Sequence, residues 1–415
     1  LLTLGASPSR VRAGVSYVMV SMVSSMIFIF ALAMVYAAVG TMSLAQIGMR
    51  MEDVPSGTRA AIFGTLLVAF GIKAAVFPLD AWLPDSYPTA PSLVTAVFAG
   101  LLTKVGVYSI IRMRSVVFTD GSLDGLLMWV GLATMIVGIL GAMAQNDIKR
   151  LLSFTLVSHI GYMIFGIALG SAQGLSGAIF YAVHHILVQT ALFLVVGLIE
   201  RQAGTSSLRR LGSLAYTAPV VAVLYFIPAI NLGGIPPFSG FLGKIILLEA
   251  GANEGSWQAW VLIGGAVITS LLTLYVMVLV WSKGFWRDRK DAPEGNVAMA
   301  RPAPLADVTD EVEFMERDDV GRMPIGMVAS TATLIAASLA VTVLAGPISG
   351  VTGRAAESAQ DVSIYRSAVL GTTADTPGRT LEQQRLDDGS DTLRNRDHQL
   401  PEPQPAVQTA EEAQP

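Results

Sequence analysis

The chain has 415 residues, 53% of them hydrophobic and only 14% charged, with a net charge of −4 and a mean hydropathy of +0.58. Soluble domains carry roughly 25% charged residues, so the composition is that of an all-α, polytopic helical protein of a lipid bilayer. Continuous apolar runs exclude an outer-membrane barrel, the lack of a basic patch speaks against nucleic acid as a partner, and the absence of cysteine excludes disulfides, thiolate catalysis and cysteine-bound clusters.

Leu1–Gly5 reads as the end of a span. No signal peptide precedes it and the first residue is not Met, so an amino-terminally incomplete chain is expected. Gly5–Arg12 is a loop, and span one runs from about Gly14 to Val39 without a charge. After the polar loop Gly40–Arg59, span two carries Lys73 at the centre of an apolar run and ends near Pro78. Asp80–Pro91 contains Pro84, Pro88 and Pro91 and cannot be a regular helix. Irregular backbone at that depth must be buried in protein or face water. Span three begins at Ser92, carries Lys104 and ends at Arg112. Span four is about Asp124–Ala144, followed by the tight loop Gln145–Arg150. Span five, Leu151–Leu169, carries His159. Span six, Leu175–Ile199, carries His184, His185 and Gln189, and Glu200–Arg210 is a basic loop.

Residues 214–251 can be read as one broken span or two abnormal ones. Tyr216–Ile230 is apolar, then come Gly233, Gly234, Pro236 and Pro237, then a short apolar piece holding Lys244. The bias of Lys and Arg toward one side of a membrane decides between them. With one broken span, one side collects Arg10, Arg12, Lys149, Arg150, Arg201, Arg209, Arg210, Lys283, Arg287, Arg289 and Lys290, eleven in all. The other collects four: Arg50, Arg59, Arg112 and Arg114. With two spans the counts become seven and eight and the bias vanishes. The segment is therefore one interrupted helix, and the loops 145–150 and 200–210 are expected in the cytoplasm. Span eight is about Trp257–Trp281, Lys283–Arg322 is a hydrophilic loop with acids at 306–319, and span nine is Pro324–Leu344. Ser349–Pro415, rich in polar residues and Pro, is expected to be disordered and extracytoplasmic.

A lysine at the centre of a membrane helix costs roughly 2.5–3.5 kcal/mol and marks an ion or proton pathway by default, the alternative being that its amine snorkels to the surface. Lys73, Lys104 and Lys244 are such residues. His184 and His185, with Gln189 one turn on from His185, make a polar stripe that suits a proton relay. Gln189 is expected to hydrogen-bond to His185 or to a water chain. His159 fits a structural or a relay role equally. Adjacent helical histidines diverge by about 100°, and no Cys or HExxH accompanies them, so no metal site is expected. Gly243-Lys244 is not a phosphate loop, because Phe238 stands where glycine is needed. Glu249 reads as interfacial. With no nucleophile–base constellation, no bond-breaking enzyme and no cofactor are expected. Desolvation favours the neutral form of a buried amine, so such lysines, linked by water, can pass protons between half-channels. Ser21, Ser24 and Ser25 on span one and Gly131, Gly138 and Gly141 on span four allow close helix approach, within the chain or to another chain.

Several segments together resemble one family. They are Phe70–Ser92, Ala99–Tyr108, Gln145-Asn146-Asp147-Ile148-Lys149-Arg150-Leu151-Leu152-Ser153-Phe154, Val183–Val188 and Gly234-Ile235-Pro236-Pro237-Phe238-Ser239-Gly240-Phe241-Leu242-Gly243-Lys244. The family is that of proton-translocating antiporter-like subunits, shared by respiratory complex I and Mrp-type multisubunit Na⁺/H⁺ antiporters. The His-His pair with Ala191–Glu200 favours the Mrp-type D-subunit branch. The resemblance covers about residues 1–285. It implies an inverted-repeat fold with interrupted helices, of which residues 1–123 end a first, amino-terminally truncated repeat and 124–284 form the second. A cytoplasmic loop (285–322), a last helix (323–346) and a disordered tail (347–415) would follow. It also implies a multi-pass subunit of a cell-membrane cation/proton antiporter, a secondary transporter rather than an enzyme, acting on protons and monovalent cations with other subunits of a multisubunit membrane complex. The alternative is a proton-pumping subunit of a redox complex such as NADH:quinone oxidoreductase or a membrane hydrogenase. In either case Lys73, Lys104, His184, His185 and Lys244 would carry the relay, with His159 and Gln189 in support. The family's glutamate partner of Lys73 would lie before Leu1, and Gln189 stands where many relatives have lysine.

Overall fold

The structure, a computed structural model, describes residues 8–295, 321 and 323–370. The chain divides into Leu1–Tyr365, which holds the helical bundle, and Arg366–Pro415, of which residues 366–370 continue a helix. In chain order the main helices are α1 (Pro8–Val39), α2 (Ser56–Ala74), α3 (Ser92–Val117), α4 (Asp124–Met143), α5 (Ile148–Ala168), α6 (Ala172–Ala203), α7 (Pro219–Gly233), α8 (Ser239–Glu254), α9 (Trp257–Trp286), α10 (Ile325–Val343), α11 (Ala345–Gln360) and α12 (Val362–Leu370). Among the described residues, eight of these are long and apolar enough to cross a membrane; α7 and α8 are too short to do so alone.

Main-chain hydrogen bonds between loops fix the direction of each crossing. Ile148 N–H donates to Ser206 O at 3.0 Å and Leu208 N–H to Asn146 O at 2.7 Å, so α5 and α6 leave and return to one end. Ser213 N–H donates to Arg287 O at 2.7 Å. Between residues 213 and 287 the chain must therefore cross twice, once through α7 and α8 together and once through α9. The same end gathers Arg10, Lys149, Arg201, Arg209 and Arg210 around a cavity of about 780 Å³. At the opposite end Arg59 pairs with Asp120 at 2.9 Å and Arg114 with Asp124 at 2.6 Å.

The core is built around α5, buried on nearly every side. Its neighbour α4 lies against it because glycines remove the intervening side chains: a Cβ on Gly138 would fall 2.4 Å from Ser158 N. On α1, Ser24 Oγ donates to Ala69 O at 3.0 Å. Ser21 and Ser24 of span one and Gly131, Gly138 and Gly141 of span four thus meet other helices of the chain, whereas Ser25 is exposed. Much of α1 remains exposed, including Met19, Met22, Met26, Ile29 and Phe30.

Three expectations are corrected. Asp80–Pro91 is not wholly irregular: Trp82–Ser86 forms a short helix and Tyr87–Thr89 a 3₁₀ turn. Pro84 fits the first turn because no intrahelical N–H bond is needed there. Spans three and eight run on to Val117 and Trp286 through π-type turns. Lastly, the residues after span nine do not begin as a disordered tail. The helix α11 packs on α6, with the Ser176 and Thr352 hydroxyls 3.0 Å apart, Ala356 buried and Gln360 Nε2 donating to Gly170 O at 2.9 Å. Thr352 and Ala356, one turn apart, give it a packed face that its polar composition hides. Residues 371–415, and the acid-rich stretch 306–319, lie outside the described residues.

Candidate functional site

Two helix interruptions frame the site, and a cis X-Pro bond lies in each, at Phe77-Pro78 and Pro236-Pro237. The helix α2 ends at Ala74, with Ala75 in the left-handed region at φ 58°. Its end is buried in protein: Trp82 Nε1 donates to Ile72 O at 3.0 Å, and Phe77 N–H to Thr134 Oγ1 at 3.1 Å. Lys73 lies in the last turn before this break, partly buried, and its Nζ donates to Ser21 Oγ on α1 at 3.1 Å.

In the second interruption α7 stops at Gly233, and Gly234 turns the chain at φ 83°, where a Cβ would also fall 2.9 Å from Lys244 Nζ. Lys244 therefore follows its break, in the second turn of α8, whereas Lys73 precedes its own. Lys244 Nζ donates to Leu232 O at 3.2 Å, Gly233 O at 3.1 Å and Ser270 Oγ at 2.9 Å. It also stands 5.4 Å from the ring centroid of Tyr162, within cation–π range.

Around Lys244 the three helices α5, α6 and α9 bring together the histidines. His159 Nδ1 is 2.7 Å from Tyr181 Oη, and its Nε2 is 3.4 Å from Thr273 Oγ1. The rings of His159 and His185 are 5.4 Å apart, as are those of Tyr181 and His184. Tyr162 lies 5.2 Å from Tyr181 and 5.7 Å from His159. His184 Nδ1 meets Ser239 Oγ at 2.9 Å, which ties the histidine pair to the start of α8. His185 is fully buried, and neither of its ring nitrogens has a partner among the described residues. Gln189 does not bond to His185; its Nε2 donates to Leu152 O on α5 at 2.8 Å.

Lys104 sits between the two interruptions. Its helix α3 contains a π-type turn at Phe98–Leu102, and Lys104 Nζ donates to Ala99 O within that turn at 2.8 Å. Gly100 brings the turn against Thr190 on α6, and Gly106 brings the next turn against the backbone of Phe70 and Ala74 on α2. So α3 lies between Lys73 and the histidine cluster. Among the described residues no carboxylate comes within ion-pair distance of Lys73, Lys104 or Lys244.

One arrangement escaped the sequence reading. Lys149 Nζ and Glu200 Oε1 form an ion pair at 2.6 Å, and Ser92 Oγ donates to Glu200 Oε2 at 2.6 Å. These side chains line the large cavity, whose wall also includes Leu194 and Gly197 of α6. Both charges stand at span ends, where a charge reads as solvated. The available signal was that Glu200 directly follows the apolar run ending at Ile199.

The family model described as NADH:quinone oxidoreductase/Mrp antiporter, TM, matches residues 1–273. The chain belongs to this family. It is 34% identical over 304 residues to the D subunit of the Na(+)/H(+) antiporter of Bacillus subtilis (strain 168), covering 72% of this chain and 61% of that protein. It is 37% identical over 298 residues to the protein of the same name from Alkalihalophilus pseudofirmus, covering 71% and 60%. The chain thus spans about three fifths of the length of these curated relatives. Its fold is similar to that of a chain in the Mrp complex from Dietzia sp. DQ12-45-1b, with a TM-score of 0.77 at 34% identity, covering 88% of this chain and 71% of that one. Like its bacterial relatives, it is a multi-pass protein of the cell membrane.

Proposed function

We propose that this chain is a membrane subunit of a multisubunit monovalent cation/proton antiporter, a transporter component rather than a bond-making enzyme, in which buried Lys and His side chains relay protons. The observation that carries this reading is the cluster of Lys244, Tyr162, His159, Tyr181, His184 and His185 in a bundle interior where, among the described residues, no carboxylate pairs with the lysine. An ammonium held only by neutral oxygens and a ring face can release its proton without leaving a buried anion behind. Thr273, His159 and Tyr181 make a sideways path, since each can donate and accept. The end rich in Lys and Arg is cytoplasmic, and its cavity reaches α6 at Leu194, from which Gln189 and His185 lie successively deeper. Residues up to 123 belong to one repeat and 124–284 to a second that carries the cluster. Lys104 and Lys73 extend the relay toward the first repeat. The names of the Bacillus subtilis and Alkalihalophilus relatives favour Na⁺ as the exchanged ion and other subunits of such a complex as partners.

The test is exchange in inside-out vesicles from cells carrying the full-length protein with its co-encoded partners. Lys244→Ala and Lys104→Ala should each abolish Na⁺-dependent proton movement while the complex still assembles. Near-normal exchange by assembled Lys244→Ala protein would overturn the relay.

A further inference from the structure

The last four carbonyls of a helix lack intrahelical partners, and those of α7 are all engaged. Ile230 O accepts from the N–H groups of Gly234 and Ile235, and Asn231 O from Gly234 N–H. Leu232 O and Gly233 O accept from Lys244 Nζ, and Gly233 O also from Ser270 Oγ at 3.1 Å. Two carbonyls and a hydroxyl thus converge on one cation at the negative end of a helix dipole. Lys244 is buried, with 5% of its surface exposed. If its ammonium were to leave with nothing in its place, Leu232 O would be left without a partner in an apolar interior, which is unfavourable.

We propose that the cradle formed by Leu232 O, Gly233 O and Ser270 Oγ is a binding site for a dehydrated monovalent alkali cation, which the ion and the ammonium of Lys244 occupy in turn. Helix C-termini and unwound carbonyls at a membrane break supply hard neutral oxygens, the ligands that suit Na⁺. The exchange conserves charge. When the ion enters, the ammonium gives up one proton to the relay and the neutral amine withdraws toward the Tyr162 ring. When a proton returns, the ammonium displaces the ion. The titratable groups facing this movement are Tyr162 and His159 from α5 and Tyr181 and His184 from α6; Ser270, Thr269 and Thr273 of α9, Asn231 of α7 and Thr342 of α10 are neutral. The inference rests on the antiport reading for its purpose, but its test is binding rather than transport.

Equilibrium binding of ²²Na⁺ to the full-length protein in nanodiscs tests it. With one proton displaced per ion, apparent affinity in the parent protein should rise about tenfold per pH unit while Lys244 is the competitor. Ser270→Ala should weaken binding several-fold, and Ser270→Thr should restore it. Lys244→Met should bind Na⁺ with the pH dependence removed. Binding by the parent protein that is absent or indifferent to pH overturns the proposal, as does binding untouched by Ser270→Ala, whether or not Lys244→Met folds. Vesicle exchange that persists beside such a result would leave the relay standing and remove only the cradle.

Discussion

Thr134, midway along α4, accepts a hydrogen bond from the Phe77 N–H at 3.1 Å and so holds the end of α2 just beyond Lys73. Its hydroxyl donates in turn to Val130 O. Thr134→Val keeps the shape and leaves a part-buried N–H unpaired, which costs about 1 kcal/mol. The variant should melt earlier than the parent in detergent, and Thr134→Ser should recover most of the loss. Equal melting of Thr134→Val and the parent would show that the break needs no such support.

Removing one partner of a buried ion pair strands the other charge, at about 3–5 kcal/mol when burial is complete. The Lys149–Glu200 pair, with side-chain exposures of 8% and 17%, falls below that because it borders the cavity. Lys149→Met is expected to destabilise the protein. The double variant Lys149→Met with Glu200→Gln is expected to be more stable than Lys149→Met alone, since Gln keeps an acceptor for Ser92. Thermal melting of the three proteins decides; a double variant less stable than the single would show that the pair is not the source of the loss.

Gln189 bridges α6 to α5 through Leu152 O. Gln189→Leu removes that bond, worth about 1 kcal/mol, and takes away the polar group one turn from His185; exchange in vesicles should fall. Gln189→Lys retains a donor and should be tolerated. Parent-like exchange and melting in Gln189→Leu would reduce the residue to packing.

The sidedness can be read by labelling, because the chain has no cysteine. Ser122→Cys, at the end with the Arg114–Asp124 pair, should react with a membrane-impermeant thiol reagent in intact cells. Asn146→Cys, at the end with the large cavity, should react only after permeabilisation. The reverse pattern would invert the orientation.

The spans were legible because apolar runs of about 20 residues have few alternatives, and the 213–287 stretch because a miscounted crossing would scramble the distribution of arginine and lysine. The lysines and histidines stood out by their cost in lipid. Their partners did not. Leu152 lies 37 residues from Gln189, and Ser270 lies 26 from Lys244; only packing brings them together. The same holds for α11, whose stability comes from Thr352 and Ala356 against α6 rather than from its own composition. Gly131 and Gly138 announced a close approach without saying to which helix, and the answer was α5.

Five main-chain hydrogen bonds sew the loops together at the end with the large cavity: Ile148 to Ser206, Leu208 to Asn146, Ser213 to Arg287, Glu294 to Arg209 and Gly321 to Arg201. All five join residues from Asn146 onward, so they tie the loops of the second repeat to one another and to the segment that follows it, at about 0.5–1.5 kcal/mol for each bond. Moving these loops apart would break the bonds together, so at that end the second repeat holds as one piece. Inside that piece the side chains can still turn, in picoseconds to nanoseconds where the groups are free and more slowly where they are packed.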